Sequence, residues 1–245
     1  RRSLPMKRGF LLQHGGRYAE KKLGVDLQTL RSQSSTRATT TTPEVLIIDS
    51  TPSCFFSKRA EKVIPGCTVV ENEEWEVDIL QKLQEMKPSA VVLAMVLDDC
   101  CGSEPEDPSF RQQIGGVVSR LHTMVADEGT TAVLVPHNAP VKFVEEFLRK
   151  CDLSWKFTAY ERTTFHKTSH APQSCSLQAI NNKCCSLKDV PEAHRMYVST
   201  DESAQPGPVG VACARVGKGK VIYVGDVNAE ESSIQVIADL LKVEG

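Results

Sequence analysis

The 245 residues carry 29 Lys and Arg against 31 Asp and Glu, a net charge of −2, with 40% hydrophobic and 24% charged residues. That balance excludes wholesale disorder, and the longest apolar run, Ala90–Leu97, falls well short of the roughly 18–20 residues a bilayer-crossing helix needs, so no membrane span is expected. The charge is unevenly placed: residues 1–43 hold nine Lys and Arg against Glu20 and Asp26, giving +7, and the remainder holds 20 against 29, giving −9. A surface of that sign disfavours nucleic acid as a partner of the larger part.

Residues 1–43 show no sustained period and end in the run SQSSTRATTTTP, so they read as a basic, Ser/Thr-rich flexible tail, a mitochondrial-type presequence or an arm for an anionic partner. Residues 44–245 read as one α/β domain. Nine scattered cysteines without a C-x-x-C pair fit reduced thiols, hence a cytoplasmic or nuclear setting, or a mitochondrial one if the tail is a presequence.

From Glu44 onward short apolar runs alternate with segments of helical period, the pattern of parallel strands joined by crossover helices. EVLIID is a buried strand, SKRAEKVI a short helix and CTVV a strand. The helix ENEEWEVDILQKLQEM aligns Trp75, Ile79, Leu83 and Met86, and AVVLAMVL is the next strand. After an acidic loop, SFRQQIGGVVSRLHTMVADEG turns Phe110, Ile114, Val117, Val118, Leu121 and Val125 inward. TAVLVP is the fourth buried strand, and VKFVEEFLRK is a helix. WKFTAY reads as a strand, but residues 162–195 have no clear period and read as an irregular excursion. MYVST, VGVACARV and KVIYVG are strands, the last two joined through Gly217-Lys218-Gly219 as a hairpin, and ESSIQVIADLLKV closes the chain as an amphipathic helix. The fold expected is a three-layer, mostly parallel sheet of flavodoxin-like type with a late β-hairpin and a C-terminal helix.

This order, with the segment VGKGKVIYVGD, resembles the class I glutamine amidotransferase-like superfamily, in particular its trehalose-utilisation-type branch. Catalytic members carry a Cys nucleophile at a strand-to-helix turn and a His with a carboxylate after a late strand. Here the corresponding turn reads PHNAP, without a cysteine, and the late strand is followed by Gly225-Asp226-Val227-Asn228-Ala229-Glu230, without a histidine. The resemblance therefore implies a catalytically degenerate, non-catalytic amidotransferase-like domain that binds an unknown small molecule or protein, with no glutaminase activity.

Ligands of open α/β sheets bind past the carboxyl ends of the strands. The residues standing there are Asp49 and Ser50, Asp98 and Asp99, His137 and Asn138, and Asp226 and Asn228. If the chain is an enzyme, Asp49, His137 and Asp226 are the acid–base set of a hydrolase, and Asp99, Asn138, Asn228 and Arg162 are ligand-binding residues. The structural alternative is that Asp and Asn after strands cap helices and build turns. His166, His170, Cys175, Cys184, Cys185 and His194 share one stretch, but their spacing matches no zinc motif. The glycines at Gly217 and Gly219 precede a strand rather than open a helix, so they do not form a phosphate cradle. No cofactor is expected.

Overall fold

A computed structural model describes residues 44–49, 55–71, 77–94, 108–136, 141–200 and 207–242. The tail 1–43 lies outside the described residues. The strands are β1 (Val45–Asp49), β2 (Thr68–Glu71), β3 (Ala90–Ala94), β4 (Thr131–Val135), β5 (Lys156–Lys167), β6 (Ala179–Lys188), β7 (Arg195–Ser199), β8 (Val209–Val216) and β9 (Gly219–Val224). The helices are α1 (Phe55–Val63), α2 (Val77–Met86), α3 (Pro108–Thr123), α4 (Val141–Lys150) and α5 (Glu231–Leu241). The order across the sheet is β2-β1-β3-β4-β9-β8-β6-β5-β7, with β7 also paired to β8.

The strands β1, β3 and β4 have every residue buried, which is why they read as continuous apolar runs rather than alternating ones. Leu46, Ile48, Val91, Leu93, Ala132 and Leu134 pack with side chains of α2, α3 and α4, while Val45, Ile47, Val92, Val133 and Val135 pack with α1 and α5. Helices thus cover both faces, and side chains alternate between them as the pleat requires.

The expectation of a mostly parallel, flavodoxin-like or amidotransferase-like sheet is corrected here. β2, β1, β3, β4 and β9 are joined by four parallel pairings, whereas β5–β6, β5–β7, β6–β8, β7–β8 and β8–β9 are antiparallel. β8, β6, β5 and β7 close into a four-stranded ring. The closure follows from strand lengths. β9 ends opposite Val211, and β6 takes up the side of β8 that β9 vacates, through Leu187 opposite Val209. The stretch read as an irregular excursion, residues 162–195, holds half of β5, all of β6 and a 3-10 turn at Glu192–His194. Its inward side chains are Ile180, Asn182, Cys184 and Ser186, a period of two that polar residues conceal.

Two local features brace this arrangement. After α3 the chain makes a π turn at Met124–Glu128 that ends on Gly129 at φ 89°. The Gly217-Lys218 turn between β8 and β9 docks on it, with Lys218 N–H donating to Ala126 O. Gly217 stands at φ 58°, and a Cβ there would fall on the Ala126 carbonyl. Farther along, Asp239 on α5 ties down the β5–β6 connection by accepting from the Ser176 N–H at 2.9 Å and its hydroxyl at 2.7 Å. Gln235 and Lys242 also donate to it. Burial pushes the Asp239 carboxyl pKa up, but these bonds together outweigh it and hold it below the ordinary value.

Two measurements test these braces. Gly66 shares the left-handed backbone, at φ 72°, but has open space around it. Gly217→Ala is therefore expected to lower unfolding free energy by about 1–3 kcal/mol more than Gly66→Ala, as measured by urea titration. For Asp239 the folded pKa lies below the unfolded value of about 3.9, so its contribution is complete above that pH and drains away as pH falls toward the folded value. Asp239→Asn should leave a flatter loss of stability between neutral and acidic pH than the parent shows. An unchanged acid limb in denaturant unfolding at several pH values would contradict this account.

Candidate functional site

The carboxyl edge of β9 is where the two halves of the sheet meet. Beyond Val224 the chain does not leave the sheet at once: Gly225 N–H donates to Gly210 O at 2.9 Å, Cys185 N–H to Gly225 O at 2.8 Å and Val227 N–H to Lys183 O at 3.0 Å. Asp226 forms an antiparallel bridge with Cys184. β6 therefore roofs the start of the loop. At Gly225 a side chain would strike Cys184 Sγ and the Cys185 carbonyl, so the close approach of the two backbones requires glycine there.

The loop then turns around the Asp226 carboxylate. Oδ1 accepts from Asn228 N–H at 2.9 Å and Oδ2 from Glu230 N–H at 2.6 Å. Ala229 is forced to φ 54°, an uncommon conformation for a residue with a Cβ, and its carbonyl accepts from the Arg59 guanidinium of α1. Asp226 is fully buried, and burial raises its carboxyl pKa. The N–H groups of Asn228 and Glu230 and the Ser233 side chain oppose the rise, and the nearby Glu230 carboxylate adds to it. Glu230 opens α5 and reaches the surface with its side chain 23% exposed, paired to Arg162 of β5 at 2.7 Å. Arg162 also contacts Asn181 Oδ1 at 3.4 Å.

Asp49 lies elsewhere. Its buried carboxylate accepts from Ser57 N–H at 3.2 Å in the first turn of α1, the capping role that a carboxylate after a strand often has. β3 and β4 stand between β1 and β9, so Asp49 and Asp226 are separated by three strand spacings, about 14 Å. The structure does not bring them together as one acid–base set. Ser50, Asp98, Asp99, His137 and Asn138 fall outside the described residues. Asn228 sits in the Asp226 loop, and Arg162 does approach it, through Glu230 rather than through an independent ligand.

The His and Cys stretch is dispersed. His166 is exposed on β5, His170 lies 3.9 Å from Glu192, and His194 packs edge-on against Trp155. Cys175 and Cys184 are buried in the core, and burial raises both thiol pKa values. Among the described residues no three His, Cys, Asp or Glu side chains are grouped to hold a metal ion. Cys151, pushed up to about 12 by burial, is a core thiol.

Residue-type reasoning found Asp226 but not its setting. Glu230 stands in sequence only as the last residue of the segment after the late strand, and nothing local marks Asn182 or Ser233. The pairing of Arg162 with Glu230 spans 68 positions, and no local spacing signals it.

No family model matches the chain, and no curated protein matches it. Solved structures do. The chain superposes on a β-galactosidase from Bacillus circulans sp. alkalophilus with a TM-score of 0.51 at 14% identity, over 82% of this chain and 31% of that one. It also matches a β-galactosidase from the Antarctic haloarchaeon Halorubrum lacusprofundi (TM-score 0.45, 15% identity, 81% and 30%). A third match is an exo-β-1,4-mannosidase from Opitutaceae bacterium strain TAV5 (0.43, 14%, 81% and 35%). The chain thus spans about a third of the length of these glycosidases, and the first of them establishes a shared fold. These findings correct the amidotransferase-like assignment. They also remove the reading of a degenerate, non-catalytic domain, because that reading measured missing residues against a family that this chain does not match.

Proposed function

We propose that the chain is the α/β part of a glycosidase-type hydrolase whose chemistry lies at the carboxyl edge of β9. The observation that carries this reading is the fold likeness to a β-galactosidase over 82% of the chain. The site supports it with two carboxyl groups in unlike surroundings. Glycoside hydrolysis needs a carboxyl group in contact with the sugar, and of these two Glu230 reaches the surface while Asp226 is fully buried beneath it.

In this reading Glu230, paired to Arg162 and open to solvent, is the carboxylate that meets the sugar. Asp226 stands behind it, buried, with burial raising its carboxyl pKa. Its bonds to Asn228 and Glu230 N–H fix the backbone from which the Glu230 side chain projects. Asp49 has no part in the chemistry, since glycosidase carboxyl pairs lie roughly 5–9.5 Å apart and Asp49 is well beyond that from Asp226.

Hydrolysis of aryl β-galactosides and β-mannosides by the purified chain is the direct measurement. Activity is expected, and Glu230→Gln should lower kcat/KM by about 100-fold or more, the usual contribution of a positioned acid or base. Release of the aryl group that is undetectable, or that survives Glu230→Gln at the parental rate, would overturn the proposal.

A further inference from the structure

The β5–β6 ladder pairs Tyr160 with Cys185, Arg162 with Lys183 and Thr164 with Asn181, so these side chains share the face turned away from the buried Asn182 and Cys184. Two cations therefore stand directly opposite each other, which costs stability unless each charge finds its own company. They lean apart. Arg162 reaches Asn181 Oδ1 at 3.4 Å and the Glu230 carboxylate at 2.7 Å, and Asn181 is itself held by donating to Thr164 Oγ1 at 2.8 Å. Lys183 turns the other way, its Nζ lying 4.6 Å from the centre of the Tyr160 ring. That attraction fixes the ammonium without neutralising it. Among the described residues Lys183 forms no ion pair with a carboxylate, and Tyr160, at 55%, is the only large hydrophobic side chain left exposed.

The lysine also belongs to the candidate site through its backbone. Lys183 O accepts from Val227 N–H at 3.0 Å, in the loop that leads from Asp226 to Glu230, so Lys183 stands between that loop and Arg162. We infer that Lys183 is the specificity-determining cation of the Glu230 site and selects uronosides, glycosides that carry a carboxylate, over neutral ones, with Tyr160 as the positioning residue that steers it away from Arg162. The inference rests on the hydrolase reading for its saccharide. What it adds is complementarity of charge. Arg162 is already spent on Glu230, so a second carboxylate entering beside Glu230 would meet only repulsion unless another cation received it, and Lys183 is the one placed to do so. A neutral hydroxymethyl group in the same position would draw little from that ammonium.

Equilibrium binding tests this without any turnover. Methyl β-galacturonoside and methyl β-galactoside, which differ in the carboxylate, are titrated at constant ionic strength into the isotope-labelled full chain and its Lys183→Gln, Tyr160→Leu and Tyr160→Phe variants, and NMR follows the amide signals of Val227, Asn228 and Glu230. Both substituted side chains lie on the outer face of the ladder, so the variants keep the fold. The parent is expected to bind the uronoside about 10-fold more tightly, the scale of one hydrogen bond to a charged group. Lys183→Gln should abolish that preference and leave the Kd of the neutral glycoside unchanged. Tyr160→Leu should shrink it roughly 2- to 5-fold, the worth of an exposed cation–π contact, and Tyr160→Phe, which keeps the ring, should preserve it. Absence of uronoside binding, equal Kd values for the two glycosides in the parent, or a preference that survives Lys183→Gln would overturn the inference. Displacement of the uronoside by an equal concentration of acetate would do the same, since Lys183 would then be a general anion contact with no saccharide site behind it. A Lys183-dependent preference in a chain that hydrolyses neither glycoside would end the hydrolase reading and leave the binding site standing.

Discussion

The structure turns on β9. It runs parallel to β4, from Thr131 opposite Lys220 to Leu134 opposite Tyr223, and antiparallel to β8, from Val216 opposite Gly219 to Val211 opposite Val224. Among the described residues no other strand joins the parallel half of the sheet to the antiparallel ring. Its side chains reflect that position: Val221, Ile222, Tyr223 and Val224 are all at most 1% exposed. Tyr223 packs edge-on against Phe157 and donates its hydroxyl to the Cys185 carbonyl, so even its polar tip is spent on linking the halves. Burial of Val221, Ile222 and Val224 contributes about 1.5–3 kcal/mol each relative to exposure.

The candidate site is a by-product of that seam. Because β9 is shorter than β8, β6 slides into the vacated place, and the residues just past β9 are covered rather than left in an open crevice. Asp226 consequently does what a buried carboxylate must do, collecting hydrogen bonds from the N–H groups of Asn228 and Glu230, while the neighbouring Glu230 and Arg162 remain at the surface. The strain at Ala229 belongs to the same arrangement, since the chain has to double back within four residues to present two N–H groups to one carboxylate.

The sequence made the parallel half legible because its signals are local. Strands buried on both faces appear as unbroken apolar runs, and Ile79, Leu83, Val117, Leu121, Phe143 and Phe147 mark helix faces by spacing alone. The closure of the ring was not legible, although β7, β8 and the first half of β5 read as strands. Its strand β6 alternates Ile180, Asn182, Cys184 and Ser186 inward, and a buried Asn and a buried Ser erase the apolar rhythm by which a strand is recognised. The roles at the candidate site were hidden for a related reason. Asp49 and Asp226 look alike in sequence, each a carboxylate after an apolar strand, and only the order of strands places them apart and gives one a helix cap and the other a loop to organise.

The central place of β9 also constrains how the chain reaches its native state. β1, β2, β3 and β4 can pair through short crossovers, and β5 can find β6 across the turn between His166 and Ala179. β9 pairs locally with β8 across the Gly217-Lys218 turn, but it must reach β4 by joining Thr131 to Lys220 across the intervening antiparallel ring. Loop closure of that length is slow to nucleate, and until it happens the apolar edges of β4 and β9 stand open. The pairing of β9 with β4 is therefore the step on which productive folding competes with association between partly folded chains.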